Sequence, residues 1–355
     1  MENQMAIEII ATGKMVPPQR ISNQDMAEKV DTDDEWIRSH TGIEARHIAS
    51  ADVAVSDLAV EAAWNTLKMA IDRAEVGEKS PEELAETLDL VVLGTTTQDF
   101  YGCPSTSCLI QNRLGAKKAA AMDVTVACSG FIYGLETAAA LLSSDRRRGR
   151  ALVIGAETLS RITDWDDRST CVLFGDGAGA VLLEKRDGEG SIVPSEGGVP
   201  KRRGLVRTIL GADGSGWEYL VIRRGGSRNP WKTGETVEKN PHVEMNGRAV
   251  YNFAVKVITE TIARLMEEES LTIDDIARIV PHQANARIVQ AAGKRLGIPE
   301  EKFFLNIAEY ANTSSASIPI ALDELNRSGK LRRGDLVITV GFGGGLTYGG
   351  NLIVW

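Results

Sequence analysis

The chain has 355 residues, 43% of them hydrophobic, enough to bury a large core as one double domain or two domains. A formal net charge of −9 argues against general nucleic-acid binding. No basic-then-apolar leader opens the sequence and no run approaches about 18 apolar residues, so the expectation is a soluble, non-exported, cytoplasmic protein that does not span a membrane. Four cysteines without metal-type spacing suggest a reducing compartment. Cys103 and Cys108 are the closest pair, and with no histidine near them no metal site is expected.

Along the chain, Met122 to Val126 reads as a short strand and the residues from Ser129 as a helix, with Phe131, Leu135, Ala138, Ala139 and Leu142 on one apolar face. Cys128 sits at the hinge. Unpaired N–H groups at a helix N-terminus favour a thiolate, so the expectation is a thiol pKa below the ordinary ~8.5. FGDGAGA (174–180) suggests a nucleotide loop, but the strand-like AVLLE follows it where a helix would be needed, so it reads as a structural turn. Residues 186–242, rich in Gly, Pro and charge, read as an insertion and linker. His282 follows an apolar run and opens an amphipathic helix; as a structural residue it would only hydrogen-bond, but beside a cysteine it can stabilise thiolate or donate a proton. Asn312, in YANTSSASIP, is either an N-cap or an amide donor to an oxyanion or enolate. GFGGGLTYGG (341–350) offers a tight turn and close backbone approach, with N–H groups for an oxyanion hole. Basic residues cluster at 145–150, at 201–207 and on the helix carrying Arg287, Lys294 and Arg295.

The two halves echo one another. QNRLG (111–115) pairs with GKRLG (293–297), the Cys128 segment with LNIAEYANTSSASIPIALDEL, RRRGRALVIG with KLRRGDLVITVG, and FGDGAGAVLLE with TYGGNLIVW. Four pairs in one order imply an internal duplication. Each half alternates strands and helices, which implies α/β layers with buried sheets, divided at 1–185 and 186–355. In this alignment Cys128 falls opposite Asn312 and Thr313.

With VDTDDEWIRSHTGIEARHI (30–48), DVTVACSGFIYGL, VPHQANARI, NTSSASIP and GFGGGLTYGG, the chain resembles the β-ketoacyl-acyl-carrier-protein synthase III family nearly end to end. The resemblance implies the thiolase fold, a five-layered αβαβα double domain, in a cytoplasmic homodimer without metal or redox cofactor. It implies the initiating condensation of fatty-acid biosynthesis, in which an acyl-CoA primer meets malonyl-acyl-carrier protein through an acyl-Cys128 intermediate. His282 and Asn312 would bind the malonyl thioester, and backbone N–H groups of Cys128 and Gly344 would form the oxyanion hole. Trp36 and Arg168 would flank the adenine of CoA, Thr32, Gly247 and Asn285 would contact pantetheine, and Arg287 the acidic carrier protein. Cys103, where many acetyl-preferring members carry Phe, would end the acyl pocket of the partner subunit and leave room for a longer or branched primer. His40 replaces a common Arg, which weakens the expectation of phosphate or carrier contacts at the channel mouth. A related condensing enzyme or acyltransferase of a secondary-metabolite pathway is the alternative.

Overall fold

The computed structural model describes residues 6–186, 192–193, 201–232, 234 and 242–355. The first sheet holds β1 (Ala6–Met15), β2 (Leu90–Gly94), β3 (Ala120–Val124), β4 (Arg150–Thr158) and β5 (Asp176–Arg186), in the order β1-β5-β4-β2-β3. Its β2–β3 and β2–β4 pairs are parallel, and β5 runs antiparallel to both neighbours. The second sheet holds β6 (Gly204–Ala212), β7 (Ile276–Pro281), β8 (Leu336–Gly343) and β9 (Thr347–Val354), in the order β6-β9-β8-β7. Here β7–β8 is parallel and β9 is antiparallel to both neighbours, as β5 is in the first sheet. The equivalent of β3 shrinks to a single bridge between Ile279 and Phe303.

Six helices matter for the site: α1 (Asp34–Thr41), α2 (Val55–Asp72), α3 (Gly130–Ser144), α4 (Gly247–Glu268), α5 (Ala286–Leu296) and α6 (Ser317–Arg327). α2 covers the outer face of the first sheet, and α4 and α5 pack with the outer face of the second. α3 and α6 lie between the sheets, in one core with Val92, Val153, Val280, Val337 and Ile353. The layers therefore run helix, sheet, helix, sheet, helix. A helix between two sheets must be apolar all round. Accordingly α3 buries Ile132 and Gly134 as well as the face legible from its period. Each large aliphatic or aromatic side chain buried there contributes roughly 1.5–3 kcal/mol.

Three expectations need correction. Residues 186–242 are more than a linker, because β6 pairs with β9 along its length. An apolar edge such as β9's buries its backbone groups only if a strand covers it. Residues 187–191, 194–200, 233 and 235–241 of that stretch lie outside the described residues. FGDGAGA is not a turn throughout: from Asp176 it is strand β5, with the Asp176 carboxylate accepting from Ala49 N at 2.8 Å and Ser160 Oγ at 2.7 Å. Finally, Cys128 does not lie opposite Asn312. The 3-10 turns Ala127–Ser129 and Ser314–Ala316 lead into α3 and α6, and both open on a residue with φ 49°, Ala127 and Ser314. Cys128 thus matches Ser315. The second half interposes a helical turn, Ile307–Tyr310, before its 3-10 turn, and that shifts the register.

Candidate active site

Cys128 is held at the foot of α3 by a close backbone approach. A Cβ on Gly343, at the end of β8, would stand 2.6 Å from the Cys128 backbone nitrogen, so only glycine lets the strand pass there. Thr347, across the hairpin, donates to Val126 O at 2.9 Å and ties the same turn to β9. Burial pushes the Cys128 thiol up to about 12, outweighing a hydrogen bond from Ser314 that favours the thiolate. This reverses the expectation of a lowered value. Removing the thiolate from water costs more than one helix end returns, and the resting group is a neutral thiol.

His282 follows β7, its N–H bonded to Val340 O at 2.7 Å. The imidazole is buried edge-on to Phe342, with ring centroids 5.4 Å apart. Its Nδ1 lies 2.7 Å from Ser317 Oγ, the first residue of α6. That oxygen also accepts the Gln283 N–H at 3.3 Å; in the tautomer in which the hydroxyl donates to Nδ1, the ring proton sits on Nε2. Burial lowers the His282 pKa to about 3, which leaves a neutral donor at physiological pH.

Asn312 is pinned through its backbone, which exchanges bonds with Leu173 O at 2.9 Å and Gly175 N at 3.0 Å. Its Oδ1 accepts the Ser314 N–H at 2.9 Å, which leaves Nδ2 as the free amide donor. Asn312 therefore braces the residue that opens the 3-10 turn while keeping a donor free. Cys128, His282 and Asn312 all line one cavity of about 650 Å³, with Gly343, Gly344 and Gly345 beside them.

The same cavity reaches Trp36, His40, Gly247 and Asn285. Other positions fall less neatly. Thr32 does not line the cavity; its hydroxyl is buried without a hydrogen-bond partner. The Arg168 guanidinium lies on Trp36, 4.3 Å from the ring centroid, so no slot for a flat base stands open between them. Cation–π attraction holds the two together. Asn285 caps α5, accepting from Arg287 N at 2.8 Å and donating to His40 O at 3.0 Å, so its side chain is already engaged. Arg287 is exposed on the first turn of α5. His40 stacks on Trp36 at 4.5 Å and its Nδ1 sits 2.8 Å from Trp36 O. Arg38 pairs instead with Asp34 at 3.5 Å and Glu44 at 3.2 Å. Cys103 is exposed and lies outside the cavity of this single chain.

Several residues of the site escaped the sequence reading: Ser317, Ser314, Glu157 and the cavity-lining Trp217. A glutamate closing the apolar strand RALVIGAET was a usable signal, since a buried charge needs a reason. Among the described residues, no group of three or more His, Cys, Asp or Glu could hold a metal ion, and no helix is long and apolar enough to cross a membrane.

Fold and site together define a condensing enzyme of the thiolase fold, an acyltransferase. Residues 122–198 match the family model described as 3-oxoacyl-[acyl-carrier-protein] synthase III, and residues 266–355 match its C-terminal model. A β-ketoacyl-[acyl-carrier-protein] synthase III of Desulfitobacterium hafniense is 45% identical over 352 residues, spanning 99% of this chain and 98% of the relative. The counterpart from Clostridium acetobutylicum is 43% identical over 350 residues, 99% of each chain. The crystal structure of 3-oxoacyl-[acyl-carrier-protein] synthase III from Aquifex aeolicus superposes with a TM-score of 0.82 at 38% identity, covering 98% of this chain and 100% of that one. The chain belongs to the β-ketoacyl-[acyl-carrier-protein] synthase III family, the initiating condensing enzymes of fatty-acid biosynthesis.

Proposed function

We propose that this chain joins an acyl-CoA primer to malonyl-acyl-carrier protein, with loss of carbon dioxide, through an acyl-Cys128 intermediate. The observation that carries the reading is the meeting of Cys128, His282 and Asn312 on one cavity. Cys128 attacks the primer thioester, and N–H groups of Cys128 and Gly344 receive the oxyanion. A thiolate adds to a thioester and leaves again readily, so the acyl-enzyme is an accessible intermediate. Malonyl-carrier protein then enters. Loss of carbon dioxide puts negative charge on its thioester oxygen, which His282 Nε2–H and Asn312 Nδ2 stabilise by about 2.7–4 kcal/mol per donor. The carbanion attacks the acyl-Cys128 carbonyl and expels the thiolate.

These steps ask for a thiol and fixed donors, and the reading assigns no metal or redox cofactor. CoA enters past Trp36 and Gly247, and the exposed Arg287 meets the acidic carrier protein by charge steering. The enzyme acts as a homodimer in the cytoplasm, with Cys103 of one protomer ending the acyl pocket of the other. That small residue admits primers beyond acetyl. The test mixes the protein with malonyl-acyl-carrier protein and acyl-CoAs from acetyl to longer and branched chains, reads ketoacyl product by mass, and uses Cys128→Ser as control. Product that depends on Cys128, with longer or branched primers used and Cys103→Phe restricting them to acetyl, is expected. Rates that collapse beyond two carbons in the wild type would sink the Cys103 argument.

A further inference from the structure

Asn312 serves as a donor only while its backbone stays in place, and that backbone is strained. Ala311, the residue before it, is fully buried and holds φ 55° and ψ −155°, a region that favours glycine. Such a conformation costs about 1–3 kcal/mol and persists only where the surrounding structure imposes it. The helical turn Ile307–Tyr310 that leads into it has four residues, too few to impose anything alone. The constraint comes from residues 172–175, which lead into β5. They supply the Leu173 carbonyl and the Gly175 N–H that bond the Asn312 backbone, and Leu173 and Phe174 line the cavity beside Asn312.

Behind that segment lies Arg46, on the short strand Ala45–Ile48, with its side chain fully buried. Its Nη2 donates to Val172 O at 2.8 Å. Its Nη1 donates to Asn23 Oδ1 at 2.9 Å, with Ile21 O at the limit of reach, 3.5 Å. Asn23 Nδ2 donates to Asp34 Oδ1 at 2.9 Å and Ile43 O at 2.8 Å, which fixes Oδ1 towards the guanidinium. All the partners of Arg46 are neutral. Among the described residues no carboxylate pairs with it, and its Nε has no hydrogen-bond partner. A guanidinium buried without a counter-ion costs free energy that an apolar side chain of that size would not. Burial lowers its pKa to about 10, so the charge is still present at physiological pH. What the guanidinium supplies is a planar fork, with two donors held at a fixed angle.

Gly175 shows how closely the segment is held. A Cβ there would stand 2.7 Å from Tyr310 O on one side and 3.3 Å from the Arg46 Cβ on another. The Glu44 N–H, two residues before Arg46, donates to Ala308 O at 2.8 Å. Residues 44–46 thus grip the stretch from Ile307 to Asn312 twice, once directly at Ala308 and once through residues 172–175. We propose that Arg46 is a positioning residue for the decarboxylation half of the reaction: through Val172 it holds the segment that keeps the Asn312 amide at the cavity. The inference rests on Asn312 being a donor to the malonyl thioester. Arg46 itself does not line the cavity and acts only through the backbone of its neighbours. Cys128 and His282 are anchored elsewhere, by Gly343 and Val340 of β8 and Thr347 of β9. Loss of Arg46 therefore separates the two half-reactions.

Two rates test the assignment: decarboxylation of malonyl-acyl-carrier protein, read as carbon dioxide, and acyl transfer from acyl-CoA to Cys128, read by mass. Both are measured in the wild type, Arg46→Met, Asn312→Ala and the double variant. A misplacement of about 1 Å at a reacting group costs about 10²-fold. Arg46→Met is therefore expected to lower the kcat of decarboxylation by about 10²-fold with the KM for malonyl-carrier protein little changed, while acyl transfer falls by far less. In the Asn312→Ala background the same substitution should cost nothing further, because the donor it places is already gone. Gly175→Ala, whose methyl group presses the same segment off Tyr310 O, should give the same split and decides the matter if Arg46→Met does not fold. Equal losses in both half-reactions, or losses that multiply in the double variant, would mean that Arg46 serves the fold alone and would overturn the proposal. So would wild-type decarboxylation in Arg46→Met. Absence of decarboxylation in the wild type would instead remove the reaction assigned above, and the role of Arg46 with it.

Discussion

Lowering the pH should weaken this fold through His282. The imidazole takes up a proton near pH 3 in the native state and near 6.5 in its unperturbed form. Below pH 6.5 the unfolded chain therefore binds a proton that the native chain refuses. Stability is fully present above 6.5 and is lost as pH falls towards 3. Between pH 7.5 and 5.0 about 1.5 pH units of that window are crossed, each worth about 1.4 kcal/mol, so His282 alone removes about 2 kcal/mol. Urea unfolding of the wild type and of His282→Gln at the two pH values isolates this share, because the remaining titrating groups are common to both. The wild type should lose about 2 kcal/mol more than the variant. Equal pH sensitivity in the two proteins would refute the claim that His282 stays neutral in the folded state. The same neutrality predicts that decarboxylation shows no inflection near pH 6.5.

Asn312→Ala should lower malonyl decarboxylation by about 10²–10³-fold while leaving a single acyl transfer to Cys128 measurable, since one of two donors to the developing charge is gone. Gly155→Ala should cost about 1–3 kcal/mol in thermal or urea unfolding, because its methyl group must push the Ser314–Ala316 turn off β4. Arg287→Glu should raise the KM for malonyl-carrier protein and flatten its salt dependence, with little effect on acylation by acyl-CoA.

The positions of Cys128 and His282 were legible because each stands where a strand gives way to a turn and a helix, whereas Asn312 follows the helical turn Ile307–Tyr310 and not a strand. Their electrostatics were not. A helix end is visible in sequence, whereas the desolvation that keeps Cys128 protonated depends on β8 and the Ser314 turn closing over it. Ser317 and Glu157 were hidden for a related reason: each meets its partner only once distant segments pack, as Ser317 does across 35 residues to His282 and Ser315 across 158 to Glu157. Strand β6 lay inside a stretch whose Gly and charge content resembles a loop, and only its pairing with β9 makes it a strand.

The two matching turns, at Ala127–Ser129 and Ser314–Ala316, bring unlike side chains to the same cavity. One turn carries the Cys128 thiol; the other carries Ser314 and stands two residues after Asn312. In a pair of identical chains every substitution would appear at both turns at once. Joined in one chain, each turn can change alone, and a repeated architecture becomes free to divide its labour.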